Sequence, residues 1–169
     1  MNLVLIGYRG TGKTAVAQLI AGHLDREVVG MDSALARGFG MSIPEFVEEN
    51  GWDAFRDAES ELAVELGERD GLVIDCGGGI IVRDENTQSL KKNGRLVWLK
   101  ASVDTIVSRI QDDTQRPALT GGKSFVEEVA EVLESRLSLY ENAADFSIDT
   151  ADLSIQEVAD QILTWWQKL

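Results

Sequence analysis

Short runs dominated by apolar residues alternate along the chain with longer segments in which apolar residues recur every three or four positions. The short runs are typical of buried strands, and the longer segments are typical of helices with one apolar face. Strands are predicted at residues 3–6, 27–29, 72–74, 95–99 and 146–148. Helices are predicted at residues 13–24, 33–37, 52–69, 84–92, 103–110, 125–140 and 154–168, and a further helix is predicted to start at Ser42.

This alternation predicts an α/β fold, because right-handed crossovers between parallel strands place helices on both faces of the sheet. In such sheets, ligands bind beyond the carboxyl ends of the strands. Residues 7–14, 30–32 and 75–79 each follow a predicted strand. We therefore expect these three segments to converge on one cleft.

Residues 111–124 are a long polar segment that contains Pro117, Gly121 and Gly122. Neither a strand nor a helix is predicted there. Loops of this length in compact domains are commonly functional. We expect this segment to be a mobile lid over the cleft.

The length of 169 residues fits a single domain spanning residues 1–169. No apolar run approaches the roughly 20 residues of a membrane-spanning helix. The N-terminus lacks the basic segment and cleavage site of a secretory signal, and one cysteine excludes an internal disulfide. These features predict a cytoplasmic protein. Since no helix carries a surplus apolar face, we also expect a monomer.

The chain is acidic, with a formal net charge of −13. Such a charge repels nucleic-acid phosphates and anionic membrane surfaces, so neither is an expected partner. An acidic protein that binds phosphate has to concentrate its cations at the binding site. The arginines and lysines that lie beside motifs are therefore the informative ones.

The segment Gly7–Thr14 reads G-Y-R-G-T-G-K-T and matches the phosphate-binding pattern G-x-x-x-x-G-K-[ST]. Its glycines allow backbone N–H groups to surround phosphate oxygens, and the helix that follows presents further unpaired N–H groups. Lys13 can reach the β- and γ-phosphates of ATP, and the Thr14 hydroxyl can bind Mg²⁺ directly. We expect nucleotide contacts from Gly10, Thr11, Gly12, Lys13, Thr14 and Ala15. A glycine-rich turn that binds no ligand is the alternative interpretation.

Five further motifs follow the phosphate loop. They are G-M-D at 30–32, F-R-D-A-E at 55–59, G-G-G at 77–79, Q-R-P at 115–117 and R-L-S-L-Y at 136–140. The N-K-x-D element of guanine-specific switch proteins does not occur in the sequence. Together with the phosphate loop, this ordered set resembles the shikimate kinase family over nearly the whole chain. The resemblance implies a three-layer P-loop kinase fold with a five-stranded parallel sheet. It also implies transfer of the ATP γ-phosphate to the 3-hydroxyl of shikimate, with Mg²⁺, in aromatic amino acid biosynthesis.

The resemblance implies an acceptor-binding region at residues 31–60 and roles for several charged residues. Asp32 would contact the shikimate hydroxyls, where a carboxylate can orient the attacking hydroxyl and accept its proton. Arg56 and Arg136 would bind the shikimate carboxylate, which suits the planar guanidinium group. The implied catalytic residues are Asp32, Lys13 and Arg116.

The resemblance also assigns the lid, the adenine contact and the glycine triplet. Arg116, in the predicted lid, would reach the transferring phosphate, and lid closure would exclude water. Arg109 would flank the adenine. The backbone of the triplet Gly77, Gly78 and Gly79 would approach the ring of shikimate, and a Cβ at Gly78 would intrude there.

Other interpretations of these residues stay open. Asp32 could be the N-cap of the helix that follows it. Arg56 and Arg136 could form surface ion pairs with acidic neighbours. A P-loop kinase of gluconate or of nucleoside monophosphates, or a catalytically silent nucleotide-binding module that regulates a partner, would also carry the phosphate loop.

The sequence departs from the family pattern at two places. Gly30 stands where family members usually have an aspartate that supports Mg²⁺ through water, and we hypothesise that Asp75 takes over this indirect support. Asp75 could instead cap a helix or pair with Lys13. At residues 149–152 the chain has acidic residues where a basic residue often lies beside the adenine, so nucleotide binding is expected to be weak or to depend more on Arg109.

Overall fold

The computed structural model describes residues 1–110 and 124–169. The strands are β1 (Asn2–Ile6), β2 (Glu27–Gly30), β3 (Leu72–Asp75), β4 (Gly94–Lys100) and β5 (Phe146–Asp149). The helices are α1 (Lys13–Leu24), α2 (Met31–Phe39), α3 (Ile43–Glu68), α4 (Asp84–Lys91), α5 (Val103–Ile110), α6 (Phe125–Ala143) and α7 (Ile155–Trp166). A 3₁₀ turn at Ile80–Val82 lies between β3 and α4. The five predicted strands are all present.

The strands form one parallel sheet in the order β2-β3-β1-β4-β5. All five residues of β1 are buried, as expected for a central strand of a parallel sheet. Because β1 lies between β3 and β4, the segment that follows β1 emerges at the middle of the carboxyl edge of the sheet. The predicted five-stranded parallel sheet with flanking helices is confirmed.

The two faces of the sheet are covered by different helices. Leu3 and Leu5 of β1 point to one face and pack in a core with apolar residues of α1 and α7. Val4 and Ile6 point to the other face and pack with residues of α3, α4 and α6. This alternation follows from the two-residue period of a strand and gives the three-layer arrangement.

Helix α3 joins two segments that the sequence predicts separately. Its start at Ser42 is confirmed, since the Ser42 hydroxyl accepts from the Glu45 N–H at 3.3 Å and the Glu45 carboxylate accepts from the Ser42 N–H at 2.8 Å. Gly51 interrupts the helix with a φ of +84°, a conformation that favours glycine. The part of α3 after this break carries Arg56 and Glu59, the charged residues of this helix that face the candidate site.

The predicted lid at residues 111–124 lies outside the described residues, apart from Ser124, which caps α6. Within residues 1–110 and 124–169, no helix is both long enough and apolar enough to cross a membrane. A single domain over residues 1–169 stays a prediction.

The buried Asn2 side chain ties together three parts of the fold, and its replacement tests how far this tie stabilises the sheet. Its amide donates to the carbonyls of Leu66 at 3.1 Å and Arg69 at 2.8 Å, and its carbonyl accepts from the Leu72 N–H at 2.9 Å. Asn2→Leu would leave these groups without partners, so we expect the free energy of unfolding to fall by about 3 kcal/mol. Urea denaturation measures this change.

The matched control is Asn93→Leu, because the half-buried Asn93 side chain also donates to the Arg69 carbonyl at 2.8 Å, in a hydrogen bond that is exposed to solvent. We expect a loss of less than about 1 kcal/mol for this variant, since water can replace an exposed hydrogen bond. Equal losses for the two variants would contradict the role given to the buried Asn2 amide.

Candidate active site

The phosphate loop lies at the carboxyl edge of the sheet between β1 and α1. Gly10 and Gly12 have φ values of +79° and +90°, which turn the backbone in a way that non-glycine residues rarely adopt. A Cβ at Gly10 would lie 2.6 Å from the Ile110 side chain, so α5 also requires glycine there. The loop runs directly into the N-terminus of α1, as the motif predicts.

Lys13 and Thr14 form the first turn of α1 and line an open cleft, which we call the phosphate cleft. Its walls are the phosphate loop, the start of α1 and the ends of β2 and β3. Lys13 is largely buried, with 8% of its surface exposed, and its ammonium donates to the Tyr8 carbonyl at 3.0 Å. A buried ammonium group within a glycine-rich loop provides a concentrated positive charge for an anion.

Asp75 is the last residue of β3 and lies directly beside Thr14. The Thr14 hydroxyl donates to the Asp75 carboxylate at 2.6 Å. Asp75 is also paired in register with Gly30, the last residue of β2. A carboxylate at Asp75 therefore occupies the strand end next to the one where the family pattern has its metal-supporting aspartate.

The oxygens of Thr14 and Asp75 suit Mg²⁺, which prefers oxygen ligands and retains several waters. Among the described residues, no group of three or more His, Cys, Asp or Glu side chains is placed to hold a metal ion. The site therefore fits a cation bound mainly by nucleotide phosphates and water, with one hydroxyl and one nearby carboxylate from the protein.

A second cavity, which we call the acceptor cavity, adjoins the phosphate cleft. It is lined by Tyr8, Arg9, Asp32, Ile43, Trp52, Phe55, Arg56, Glu59, Gly77, Gly78, Gly79 and Arg136. All the acceptor residues that the sequence predicts are in this set, so the fold brings together residues from α2, α3, α6 and the turn after β3.

Asp32 lies in the first turn of α2 and lines both the acceptor cavity and the phosphate cleft. The alternative that Asp32 is a helix N-cap is wrong, because α2 starts at Met31 and Gly30 is its N-cap. A Cβ at Gly77 would lie 2.6 Å from the Asp32 carboxylate. Glycine at this position therefore leaves room for Asp32 at the boundary between the two cavities.

Arg56 is held on α3 by a buried acid and two aromatic rings. Its guanidinium donates to the Glu59 carboxylate at 2.6 Å, and its carbon Cζ lies 5.3 Å from the ring centroids of both Trp52 and Phe55. Burial raises the pKa of the Glu59 carboxyl above its ordinary value, and the Arg56 charge opposes that rise. The alternative of a surface ion pair is wrong for Arg56, since its partner Glu59 is only 1% exposed.

Arg136 approaches the same cavity from α6. Its guanidinium donates to the Gly78 carbonyl at 3.1 Å, and the Tyr140 hydroxyl donates to the same oxygen at 2.5 Å. Tyr140 is fully buried and stacks on Trp98. Helix α6 and the glycine turn are thus fixed to each other through one carbonyl, which orients Arg136 towards the acceptor cavity.

The three glycines after β3 differ in how much space they have. At Gly79 a Cβ would overlap the Arg56 guanidinium, as at Gly77 it would crowd Asp32. At Gly78 a Cβ would meet backbone atoms of the phosphate loop, with the Arg9 nitrogen nearest at 3.4 Å. Gly77 and Gly79 are therefore needed to place charged side chains, whereas a Cβ at Gly78 would make ordinary van der Waals contact with the phosphate loop.

Arg109 lies near the phosphate loop, at the end of α5. Its guanidinium donates to the Gly10 carbonyl at 3.1 Å and to the Thr150 carbonyl at 3.1 Å. These bonds place it beside a second opening formed by the loop, the segment after β5 and the start of α7. Arg116, the predicted contact to the transferring phosphate, lies outside the described residues.

The sequence analysis assigned no role to six residues of the acceptor cavity, namely Tyr8, Arg9, Ile43, Trp52, Phe55 and Glu59. Glu59 had the clearest signal, because it lies three residues after Arg56 on a predicted helix and so shares a face with it. Tyr8 and Arg9 occupy the variable positions of the phosphate-loop pattern. Their orientation depends on the tertiary structure.

Comparisons with known proteins agree with this geometry. The family model described as Shikimate kinase matches residues 9–167. A shikimate kinase of Thermodesulfovibrio yellowstonii is 40% identical over 168 residues, covering 99% of this chain and 96% of the relative. The structure of shikimate kinase from Acinetobacter baumannii in complex with shikimate has a TM-score of 0.93 and 32% identity, covering 99% of this chain and 93% of that one.

A solved shikimate kinase from Aquifex aeolicus is also similar, with a TM-score of 0.85 and 28% identity over 99% of this chain and 96% of that one. The match of the family model, the full-length relatives and the shared fold lead to one conclusion: the chain belongs to the shikimate kinase family.

Proposed function

We propose that this protein transfers the γ-phosphate of ATP to the 3-hydroxyl of shikimate. The observation that carries the proposal is the position of Asp32, which lines both cavities. The phosphate loop lies on one side of this carboxylate and two arginines lie on the other. A phosphate donor and a carboxylate-bearing alcohol would therefore meet at Asp32.

The acceptor half suits a small anion that also carries hydroxyl groups. Arg56 and Arg136 place two permanent positive charges in one partly buried cavity, where a carboxylate would gain charge-assisted hydrogen bonds. Glu59 already neutralises part of the Arg56 charge and fixes its direction. Binding energy from the carboxylate, distant from the reacting hydroxyl, would then serve to orient the acceptor.

The donor half would bind the phosphates of ATP through the loop backbone and the Lys13 ammonium. Mg²⁺, when bound with ATP, would neutralise charge on the β- and γ-phosphates. Thr14 would be its direct protein ligand, and Asp75 would act on it indirectly. Asp75 accepts the Thr14 hydroxyl hydrogen bond, so it can orient that oxygen and bind a metal-coordinated water.

In the transfer itself, the bond between the γ-phosphorus and the β,γ-bridging oxygen breaks and a bond from the acceptor 3-oxygen to that phosphorus forms. Asp32 would aim the hydroxyl in line and take its proton, while ADP leaves with the bridging oxygen. Lys13 would offset charge on the γ-phosphoryl group. Arg109 would flank the adenine, and Arg116 would add positive charge from the segment outside the described residues.

Several finer points stay predictions. These are a cytoplasmic location, a monomeric state, the absence of nucleic-acid and membrane partners, and weakened nucleotide binding caused by the acidic segment 149–152. Asp149 and Asp152 are exposed, and Thr150 between them is buried and hydrogen-bonded to Arg109. Arg109 is thus held by the Thr150 carbonyl, in the segment where family members often have a basic residue beside the adenine.

A substrate panel tests the proposed reaction. We expect ADP release from Mg-ATP with shikimate and none above background with gluconate or nucleoside monophosphates. The ring of shikimate holds its carboxylate and 3-hydroxyl at a fixed separation, whereas open-chain gluconate would lose conformational freedom on binding, and a nucleoside monophosphate has no carboxylate for the two arginines. A coupled assay for ADP measures this. Phosphorylation of a different acceptor would make that compound the substrate in place of shikimate. No ADP release with any acceptor would favour the catalytically silent nucleotide-binding module.

Replacement of Arg136 tests the acceptor half. Arg136→Ala should raise the KM for shikimate about 10- to 100-fold, since it removes a charge-assisted hydrogen bond to the carboxylate. Basal ATP hydrolysis without acceptor should fall much less. The control is Arg83→Ala, which removes an arginine paired with the exposed Asp57. Equal loss of both activities in Arg136→Ala would assign the residue a purely structural role.

Replacement of Asp75 tests the indirect metal role. Asp75→Asn should raise the Mg²⁺ concentration for half-maximal activity about 10-fold and leave the Kd for shikimate unchanged. Titration of Mn²⁺ in the presence of a non-hydrolysable ATP analogue, followed by electron paramagnetic resonance, measures the metal affinity directly. An unchanged requirement for Mg²⁺ would contradict the role.

A second variant checks whether the neighbouring strand end can supply the same carboxylate. A Cβ at Gly30 would have its nearest neighbour at 3.7 Å, so Gly30→Asp fits the backbone. In the Asp75→Asn background, Gly30→Asp should restore most of the lost Mn²⁺ affinity. Failure to restore it would mean that Asp75 acts mainly on the Thr14 side chain and not on a metal-bound water.

A further inference from the structure

Two described residues line both the phosphate cleft and the acceptor cavity, and they carry opposite charges. One is Asp32, to which the proposed function assigns the acceptor hydroxyl. The other is Arg9, the third residue of the phosphate loop, which has no assigned role. A phosphoryl group that passes from one cavity to the other has to cross the boundary that these two side chains form.

The Arg9 side chain is placed at this boundary with a donor unused. Its Nε is buried and has no hydrogen-bond partner among the described residues. A buried N–H without a partner costs about 1–3 kcal/mol, and more when it belongs to a charged group. An anion that binds beside it would recover this cost.

The position of Arg9 is fixed on two sides. Its backbone nitrogen lies against the glycine turn, 3.4 Å from where a Cβ of Gly78 would lie. Its guanidinium lies over the Phe125 ring at the start of α6, with Cζ 5.8 Å from the ring centroid. A guanidinium that is buried at Nε and lies against an aromatic face loses less conformational freedom on binding a ligand than an exposed arginine does.

The chemistry of the boundary favours a phosphate over a second carboxylate as the partner of Arg9. The acceptor carboxylate is assigned to Arg56 and Arg136, and Arg56 lies against Gly79, at the opposite end of the glycine turn from Gly77 and Asp32. Arg9 belongs instead to the same loop as Lys13. A planar guanidinium group that faces the transferring group could bind two of its oxygens at once.

We propose that Arg9 binds the phosphoryl group on the acceptor side of the transfer, and so recognises shikimate 3-phosphate more strongly than shikimate. This rests on the proposed function. In the transition state the group carries negative charge spread over three oxygens, and Arg9 would offset part of it from the side opposite the nucleotide phosphates. After transfer, the same contact holds the phosphate of the product.

Isothermal titration calorimetry of the purified full-length protein tests this role with three ligands: shikimate, shikimate 3-phosphate and ATP with Mg²⁺. For Arg9→Met we expect the Kd of shikimate 3-phosphate to rise at least about 10-fold, while the Kd values of shikimate and ATP change less than about threefold. We expect kcat to fall about 100-fold, the loss typical of one donor to a developing charge. Arg9→Lys, which keeps the positive charge but not the planar guanidinium group, should recover part of the lost affinity for shikimate 3-phosphate and part of the lost kcat.

The matched control is Arg26→Met. Arg26 is also partly buried and lies over an aromatic ring, with Cζ 5.3 Å from the Trp166 centroid, but it donates to the Met1 carbonyl and not to the site. It should leave all three Kd values unchanged. Equal weakening of shikimate and its phosphate in Arg9→Met, or weakening of ATP alone, would overturn the proposal. Because a distorted phosphate loop would weaken ATP binding first, the ATP titration separates misfolding from the loss of a phosphate contact.

The same measurements distinguish a failure of the proposed function from a failure of the role proposed for Arg9. If the unaltered protein neither binds shikimate nor phosphorylates it, the reaction itself is wrong. If the unaltered protein is active and Arg9→Met retains its kcat and its affinity for shikimate 3-phosphate, only the role of Arg9 is wrong.

Discussion

The parallel pairing of β1 with β3 and β4 is the constraint on which the rest of the site depends. Parallel strands end at the same edge of a sheet, so a central β1 delivers the phosphate loop to the middle of that edge. The end of β3 then lies beside Thr14, which lets Asp75 accept its hydroxyl hydrogen bond. The glycine turn that follows β3 reaches the Arg9 backbone from the same side. The parallel strand order thus brings the phosphate loop, Asp75 and the glycine turn to the same edge of the sheet.

An acidic protein can bind two anionic substrates only if its cations are concentrated where the substrates bind. The net charge is −13, yet Lys13, Arg9, Arg56 and Arg136 all line one continuous pair of cavities. The surrounding acidic surface repels free anions, so affinity has to come from short-range contacts and desolvation rather than long-range attraction. Glu59 limits the cost of burying this positive charge by pairing with Arg56 out of water.

The sequence predicted the fold because strands and the phosphate loop depend on local patterns, and the family resemblance named acceptor residues that line one cavity. Apolar runs identify the strands, and the phosphate-loop motif specifies backbone conformation directly through its glycines. The side-chain partners could not be predicted in the same way. That Asp32 belongs to the first turn of α2 depends on where β2 ends, and that the Arg9 Nε is buried depends on packing between three elements. Such contacts join residues distant in sequence, and no periodicity encodes them.

The proposed move of the metal-supporting carboxylate from residue 30 to residue 75 has a simple electrostatic rationale. Adjacent strands lie about 4.8 Å apart, so the registered pair Gly30 and Asp75 offers two positions from which one carboxylate can reach the water shell of a cation bound at Thr14. Carboxylates at both positions, with Asp32 also lining the cleft, would repel one another and the phosphates of the nucleotide. A single carboxylate at this pair of strand ends would therefore support the metal at lower electrostatic cost than two. If Asp75 has the proposed indirect role, a glycine at residue 30 is its expected complement, and the metal support would be relocated and not lost.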